Sequence, residues 1–465
     1  MQSKYLNYFY FKLIKGENMK KRKFSILLNV AVLCLCVAAI AFGVYSAKNA
    51  SLNVTGTIGF QAHNCQVKVE GYITYAMRSV NDEWQEVKNS TGGSGSTAWS
   101  DTFSTGDAYL SSSTVQTWNF GDIYFDDMAS YQEAPTAIMI TIKISNYSEF
   151  PVGATLSGNA TATGFTVKTI NLATQLGEKS DTDTPTGTIC IVVHRPTNNV
   201  NSVKLTMPTI TIQKTTLQNI VISDTKPDSG WWASSESGVN VLKQVPALAT
   251  ENTTKTLTVP SYFKDSSGNT VKVTKLGSNN SAGSQALTNF ESYQYIYICD
   301  GYTGTTEGNY VFRNQAGEDR YGGPSTYKDI TLPGTFEKVK LMNGNVFATK
   351  SCENLYVMEG CKTFSDSYYS IDVKTNIILP STIENVVDGM GSGASHPFFI
   401  PELVFTTNLK SVSNNAFCFY LEDPTRIIYK GTMQQWTALN FKPEMNANYI
   451  YIYCNDGLLT INPSI

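Results

Sequence analysis

Ile330-Thr-Leu-Pro333, Leu355-Tyr-Val-Met358, Ile377-Ile-Leu-Pro380, Leu403-Val-Phe-Thr406, Ile427-Ile-Tyr-Lys430 and Ile450-Tyr-Ile-Tyr453 are six short apolar runs near the end of the chain. Their first residues stand 25, 22, 26, 24 and 23 positions apart. A period in the twenties means that one small supersecondary unit, a strand and a returning arm, is stacked on copies of itself. Such a unit cannot bury its apolar side alone, so the core belongs to the stack. The pattern begins upstream, at Leu257-Thr-Val-Pro260. A mainly β fold follows, ending in a solenoid over residues 257–465. A stack of this kind offers a long surface rather than a closed pocket, which points towards binding.

The rest of the chain supports a β-rich reading. Aromatic residues make up 12% of the 465 and charged residues only 16%, a balance that argues against helical bundles. Val67, Val69, Ile73, Tyr75 and Met77 alternate with polar neighbours, and Ile138, Ile140, Ile142 and Ile144 do so against Met139, Thr141, Lys143 and Ser145. Both patterns predict half-buried antiparallel strands. Thr188-Ile-Cys-Ile-Val-Val193 is apolar on both faces and predicts a central strand, and Val203 to Ile212 predicts a last one interrupted near Pro208. Residues 51–217 are therefore expected to form an antiparallel β-sandwich. Within them, residues 90–114 hold 17 Ser, Thr or Gly among 25 and are expected to be an exposed loop. Residues 218–256, with Lys226-Pro-Asp-Ser-Gly230 and Trp231-Trp232, are expected to link the two halves.

The first 47 residues carry seven Lys or Arg and one acidic residue, leaving 28 basic and 37 acidic residues beyond them. That acidic remainder has no electrostatic footprint for nucleic acid. Lys20-Lys-Arg-Lys23 precedes an uncharged stretch of 23 residues, Phe24 to Ser46. This is the layout of an export signal, with residues 1–18 before Met19 as a cytoplasmic stub or an upstream start. The stretch also has the length to remain as a membrane anchor. The expected location is extracellular or at the cell surface.

Motifs for chemistry are absent. His63, His194 and His396 stand apart, and no thiol pair has metal-site spacing. Most cysteines read as small buried apolar residues, and the disulfide worth testing joins Cys65 to Cys190. Gly389-Met-Gly-Ser-Gly393 lacks the Lys-Ser/Thr ending of a phosphate loop. Asp122, Asp126 and Asp127 offer three carboxylates for a calcium ion, or simply a solvated turn. The expectation is a non-enzyme without cofactor or metal. Its candidate binding surface is a tyrosine row pointing outward from the stack: Tyr356, Tyr429, Tyr451 and Tyr453, with Thr331 beside them.

Several segments carry a resemblance. Leu257-Thr-Val-Pro260, Ile378-Leu-Pro-Ser-Thr-Ile383 with Val386, Asn415-Ala-Phe417, and Phe347 with Cys352 and Leu355 resemble pieces of the leucine-rich repeats of BspA-type, or treponemal-type, bacterial cell-surface proteins. Ile428 to Trp436 and Tyr453-Cys-Asn-Asp-Gly457 resemble the terminal repeats of that family. More weakly, Gly43-Val-Tyr-Ser-Ala47, Ala50 to Ile58 and Trp118-Asn-Phe-Gly-Asp-Ile123 resemble exported TasA and camelysin β-sandwich proteins. The resemblance implies a leucine-rich-repeat solenoid that binds a protein or glycan on host or neighbouring cells. The alternative is a structural matrix component that assembles through its β-sandwich.

Overall fold

The computed structural model describes residues 57–60, 66–74, 77–80, 83–86, 102–104, 116–117, 122–123, 137–157, 161–162, 166–171, 175–194, 203–206, 209–277, 289, 292–305, 327–337, 339–340, 352–365, 373–387, 402–414, 426–442 and 450–461. The chain divides into Met1–Leu52 and Asn53–Ile465, and all described residues lie in the second unit. That unit is mainly β. The helix Met433–Ala438 is the exception among them.

The repeated runs become strands of parallel sheets. Thr256–Val259, Tyr295–Ile298, Tyr327–Leu332, Cys352–Val357 and Val373–Ile378 pair in that order, each parallel to the next. Leu257, Ile296, Ile330, Leu355 and Ile377 stand in one row across this sheet and are all buried in a single cluster. Burying an aliphatic side chain of this size is favourable by about 1.5–3 kcal/mol, so the row is what holds neighbouring rungs together. The returning arms build a second parallel sheet from Val339–Lys340, Thr363–Ser365, Asn385–Val387 and Ser411–Val412. Phe364 and Val386 of these arms enter the same cluster from the opposite side.

The last described strands form a third sheet. Glu402–Phe405, Arg426–Tyr429 and Ile450–Cys454 run parallel, and Gly457–Ile461 turns back antiparallel. Here the expected register is corrected: Ile427 stands opposite Ile452, not Ile450. The shift is two residues, which preserves the pleat, so Tyr451 and Tyr453 keep their side of the sheet.

Residues 218–256, expected as the linker and the start of the second domain, carry strands of their own. Ile220–Ile222, Trp231–Glu236 and Val239–Gln244 form a sheet with Lys275–Leu276 and Gly304–Thr305. Trp231 is buried in the ladder cluster, with its ring 5.3 Å from that of Phe263. Ile220, Trp231, Ala233, Leu242 and Val245 supply the apolar surface that joins this segment to the core.

In the N-terminal half, Thr166–Asn171, Thr186–His194, Ala137–Asn146 and Val67–Thr74 pair antiparallel in that order. Thr102–Ser104 adds to the edge by pairing with Glu70–Tyr72, so this part of the expected 90–114 loop is strand. The chain around Pro208 serves two sheets. Val203–Thr206 pairs with Asp122–Ile123 and Thr161–Ala162, while Thr209–Lys214 pairs with Thr57–Phe60 and Val152–Ser157. Asn146 ends its strand fully buried, donating to the carbonyls of Phe150 and Gly177 at 2.9 and 2.7 Å and accepting from the Ser148 N–H at 2.9 Å.

Candidate functional site

Period-two geometry gives each strand of the ladder two faces. Ile330, Leu355 and Ile377 point into the ladder, so Tyr295, Asp329 and Asn354 form one row on the opposite face. Tyr297, Thr331, Tyr356 and Ile378 form the next. This is the face on which the tyrosine row was expected to meet a partner. It is covered. Asp329, Thr331 and Tyr356 each show 0% exposure, and Tyr297 shows 8%.

The cover is the N-terminal sheet. Its Ala137–Asn146 strand expected one face in water, yet Met139, Thr141 and Ser145 are as buried as Ile140, Ile142 and Ile144. Met139, Thr141 and Lys143 stand opposite Val192, Cys190 and Thr188, and Val192 and Cys190 stand opposite Lys168 and Ile170. Cross-strand partners share a face, so these residues form one surface. Lys168 on that surface pairs with Asp329 of the ladder and lies 5.3 Å from the centre of the Tyr295 ring. Asn354 donates from Nδ2 to the other oxygen of Asp329 at 2.9 Å. Thr188 donates to Asp300 Oδ2 at 2.7 Å, and the Gly334 N–H donates to Asp300 Oδ1 at 3.2 Å. Burial raises the Asp300 carboxyl above its ordinary value, against these hydrogen bonds and the nearby Lys143 charge.

A second contact locks the edge. Tyr262 donates to Asp183 Oδ2 at 2.5 Å, and Lys272 Nζ reaches both Asp183 oxygens at 2.9 Å. The Tyr262 ring lies so close to Gly177 that a Cβ there would meet ring carbon Cδ1 at 2.5 Å. Burial and the Asp183 carboxylate push the Tyr262 hydroxyl far above the usual phenol range.

The four tyrosines of the expected surface thus part company. Tyr356 is covered by the N-terminal sheet, and burial followed by Asp329 and Cys190 drives its hydroxyl well up. Its oxygen has no hydrogen-bond partner among the described residues, and neither do the hydroxyls of Thr141 and Thr331. Tyr429 points the other way. It shares the pleat of Ile427, is 2% exposed, and packs edge-on against Trp436 at 5.2 Å. Its expected outward placement is corrected by parity: the third residue of a run faces inward, as Leu332 and Val357 do. Tyr451 and Tyr453 are half-buried on the outer face of the last hairpin. There they stand opposite Thr460 and Leu458, the latter 48% exposed.

Cys190 carries a buried thiol without a disulfide, which overturns the pairing with Cys65, a residue outside the described ones. Burial, then the Asp329 charge, pushes that thiol well above its ordinary value. His194 is half-buried beside this group, and desolvation, then Lys168, lowers its pKa against the pull of Asp329. His63, His396, Asp126, Asp127, the Gly389–Gly393 segment and the stretch 24–46 lie outside the described residues, and Asp122 is described by backbone alone. Among the described residues no His, Cys, Asp or Glu cluster suits a metal, and no helix is long and apolar enough to cross a membrane.

Lys168, Asp329, Asn354, Asp183 and Asp300 were not anticipated from the sequence. One signal was present: Asp329 is an acidic residue immediately before the apolar run Ile330-Thr-Leu.

No protein-family model, curated protein or solved structure matches the chain.

Proposed function

We propose that the chain is an exported bacterial surface protein whose N-terminal β-sandwich carries a leucine-rich-repeat solenoid, and that the solenoid's terminal hairpin binds a protein or glycan partner. One observation carries this reading. Tyr451, Tyr453, Leu458 and Thr460 share the outer face of the last antiparallel pair, and Leu458 and Thr460 are exposed there. Two amphipathic rings beside an exposed aliphatic side chain suit a protein or sugar face. Among the described residues of the expected tyrosine row, Tyr356 and Tyr429 are buried, while Tyr451 and Tyr453 keep partial exposure.

The test is adherence of cells displaying the full chain. Tyr451→Ser, Tyr453→Ser and Leu458→Ser combined are expected to abolish attachment to matrix- or glycan-coated surfaces, with the displayed amount unchanged. Adherence equal to that of the parent protein rejects the reading.

A further inference from the structure

The Lys168, Asp329 and Asn354 side chains meet where the two halves of the chain are pressed together. Asp329 is fully buried, Lys168 pairs with its Oδ2, and Asn354 donates to its Oδ1 at 2.9 Å. An amine and a carboxamide are thus held by the two oxygens of one carboxylate. Around them lie the Tyr295 ring, 5.3 Å from the Lys168 amine, and the buried Tyr297, Tyr356 and Cys190. These are the components of an amide-forming reaction: a nucleophile, an acyl group and, between them, a fully buried acid–base group. We propose that Lys168 and Asn354 join in an isopeptide bond, with Asp329 transferring the protons.

The chemistry balances within the chain. Asp329 takes a proton from the Lys168 ammonium with which it pairs. The Nζ lone pair then adds to Cγ of Asn354. The Asp329 hydroxyl hydrogen-bonds the carboxamide oxygen as negative charge develops there, which requires the amide to turn its oxygen towards the acid. When the intermediate collapses, the Cγ–Nδ2 bond breaks and Nδ2 leaves as ammonia, carrying the proton that Nζ gives up through Asp329. One C–N bond forms and one breaks, nothing is oxidised or reduced, and the displaced proton leaves with the ammonia as ammonium. Lys168 retains 30% exposure, so the product has a way out to solvent.

The consequence is a covalent tie between the Thr166–Asn171 strand and the Cys352–Val357 strand, which belong to different sheets. An adhesive surface protein is pulled at one end and held at the other. A bond at this place carries the load past the intervening chain.

Mass spectrometry of the purified full chain decides the matter. Protease digestion is expected to release a branched peptide joining Lys168 to Asn354, lighter by one ammonia than its two parts together. Asp329→Asn and Lys168→Arg are expected to give the two peptides separately at full mass, with circular dichroism confirming a folded chain. Separate Lys168 and Asn354 peptides from the parent protein overturn the proposal. A branched peptide joining Lys168 to Asp329, lighter by one water, overturns it equally. None of these outcomes depends on the terminal hairpin binding a partner.

Discussion

Thr335 and Thr382, 47 positions apart, make the same pair of hydrogen bonds to the rung before them. Thr335 donates to the Tyr302 carbonyl at 2.7 Å and accepts from the Gly301 N–H at 2.9 Å. Thr382 donates to the Cys361 carbonyl at 2.8 Å and accepts from the Gly360 N–H at 2.9 Å. The acidic residues before those glycines repeat as well. Asp300 accepts from the Gly334 N–H, and Glu359 accepts from the Ser381 N–H at 2.8 Å. A turn that ends one strand is therefore clipped to the turn of its neighbour by one hydroxyl and one carboxylate.

Replacing either threonine by valine keeps the shape and removes both bonds of the clip. Each bond is worth about 1 kcal/mol net, and both sites are near enough to water for the freed backbone groups to be solvated. Thr335→Val and Thr382→Val are each expected to lower stability by about 1–2 kcal/mol in urea titration. The clips lie two rungs apart and share no partner, so the double variant should show the sum. A double variant no less stable than either single one would mean the clips are not independent.

Gly334 sits where two turns touch. A Cβ at this position would lie 1.9 Å from the Glu359 carbonyl oxygen, and backbone cannot rotate away as a side chain can. Gly334→Ala must push rungs apart, at a cost of about 3 kcal/mol or more. Gly268, at φ +81° with open space around it, is the control: Gly268→Ala pays only the backbone strain of its turn. Thermal melts of both variants should show the larger loss at Gly334, and equal losses would refute the crowding argument.

These contacts mark what the sequence could and could not disclose. The period of the apolar runs was legible because one row of aliphatic side chains must recur at each rung. Strand ends were legible too, since Pro333 follows Leu332 directly. The outer face was not. Tyr356 reads as exposed in any local pattern, because nothing near it in sequence says that a strand some 200 residues earlier lies over it. The same blindness made Thr141 and Met139 look like solvent positions. Polar residues at both surfaces describe a docked face and a wet one alike, and only the tertiary arrangement separates them. Tyr429 is a different case. Its parity with Ile427 was visible in the sequence, and the outward reading ignored it.

Tyr356 gives the docked face a direct test. Its ring fills space between the sheets, but its hydroxyl is buried without a partner among the described residues. Losing an unsatisfied buried hydroxyl while keeping the ring removes a desolvation penalty of about 1 kcal/mol or more. Tyr356→Phe is expected to raise the urea midpoint, and Tyr356→Ala to lower it sharply through the cavity left behind. A lower midpoint for Tyr356→Phe would show that the hydroxyl has a partner after all.

His194 should make the stability of the docked halves fall on the acid side. Its ordinary pKa is 6.5, and desolvation, the largest cause, lowers it in the folded chain. The unfolded chain then binds the proton more tightly than the folded one, so acid favours unfolding. Above pH 6.5 both states hold a neutral ring and the group contributes no slope. As pH falls below that value stability is lost, and the loss levels off once pH passes the lowered folded pKa. Asp300 works in the opposite sense: its raised carboxyl pKa means that the folded chain gains relative stability as pH falls through that value towards 3.8. His194→Gln keeps a polar side chain and removes the titration. Melting temperatures of parent and variant taken between neutral and mildly acidic pH should diverge only below the histidine's ordinary pKa, with the variant losing less. Parallel curves across that window would show that His194 is not desolvated by the sheets around it.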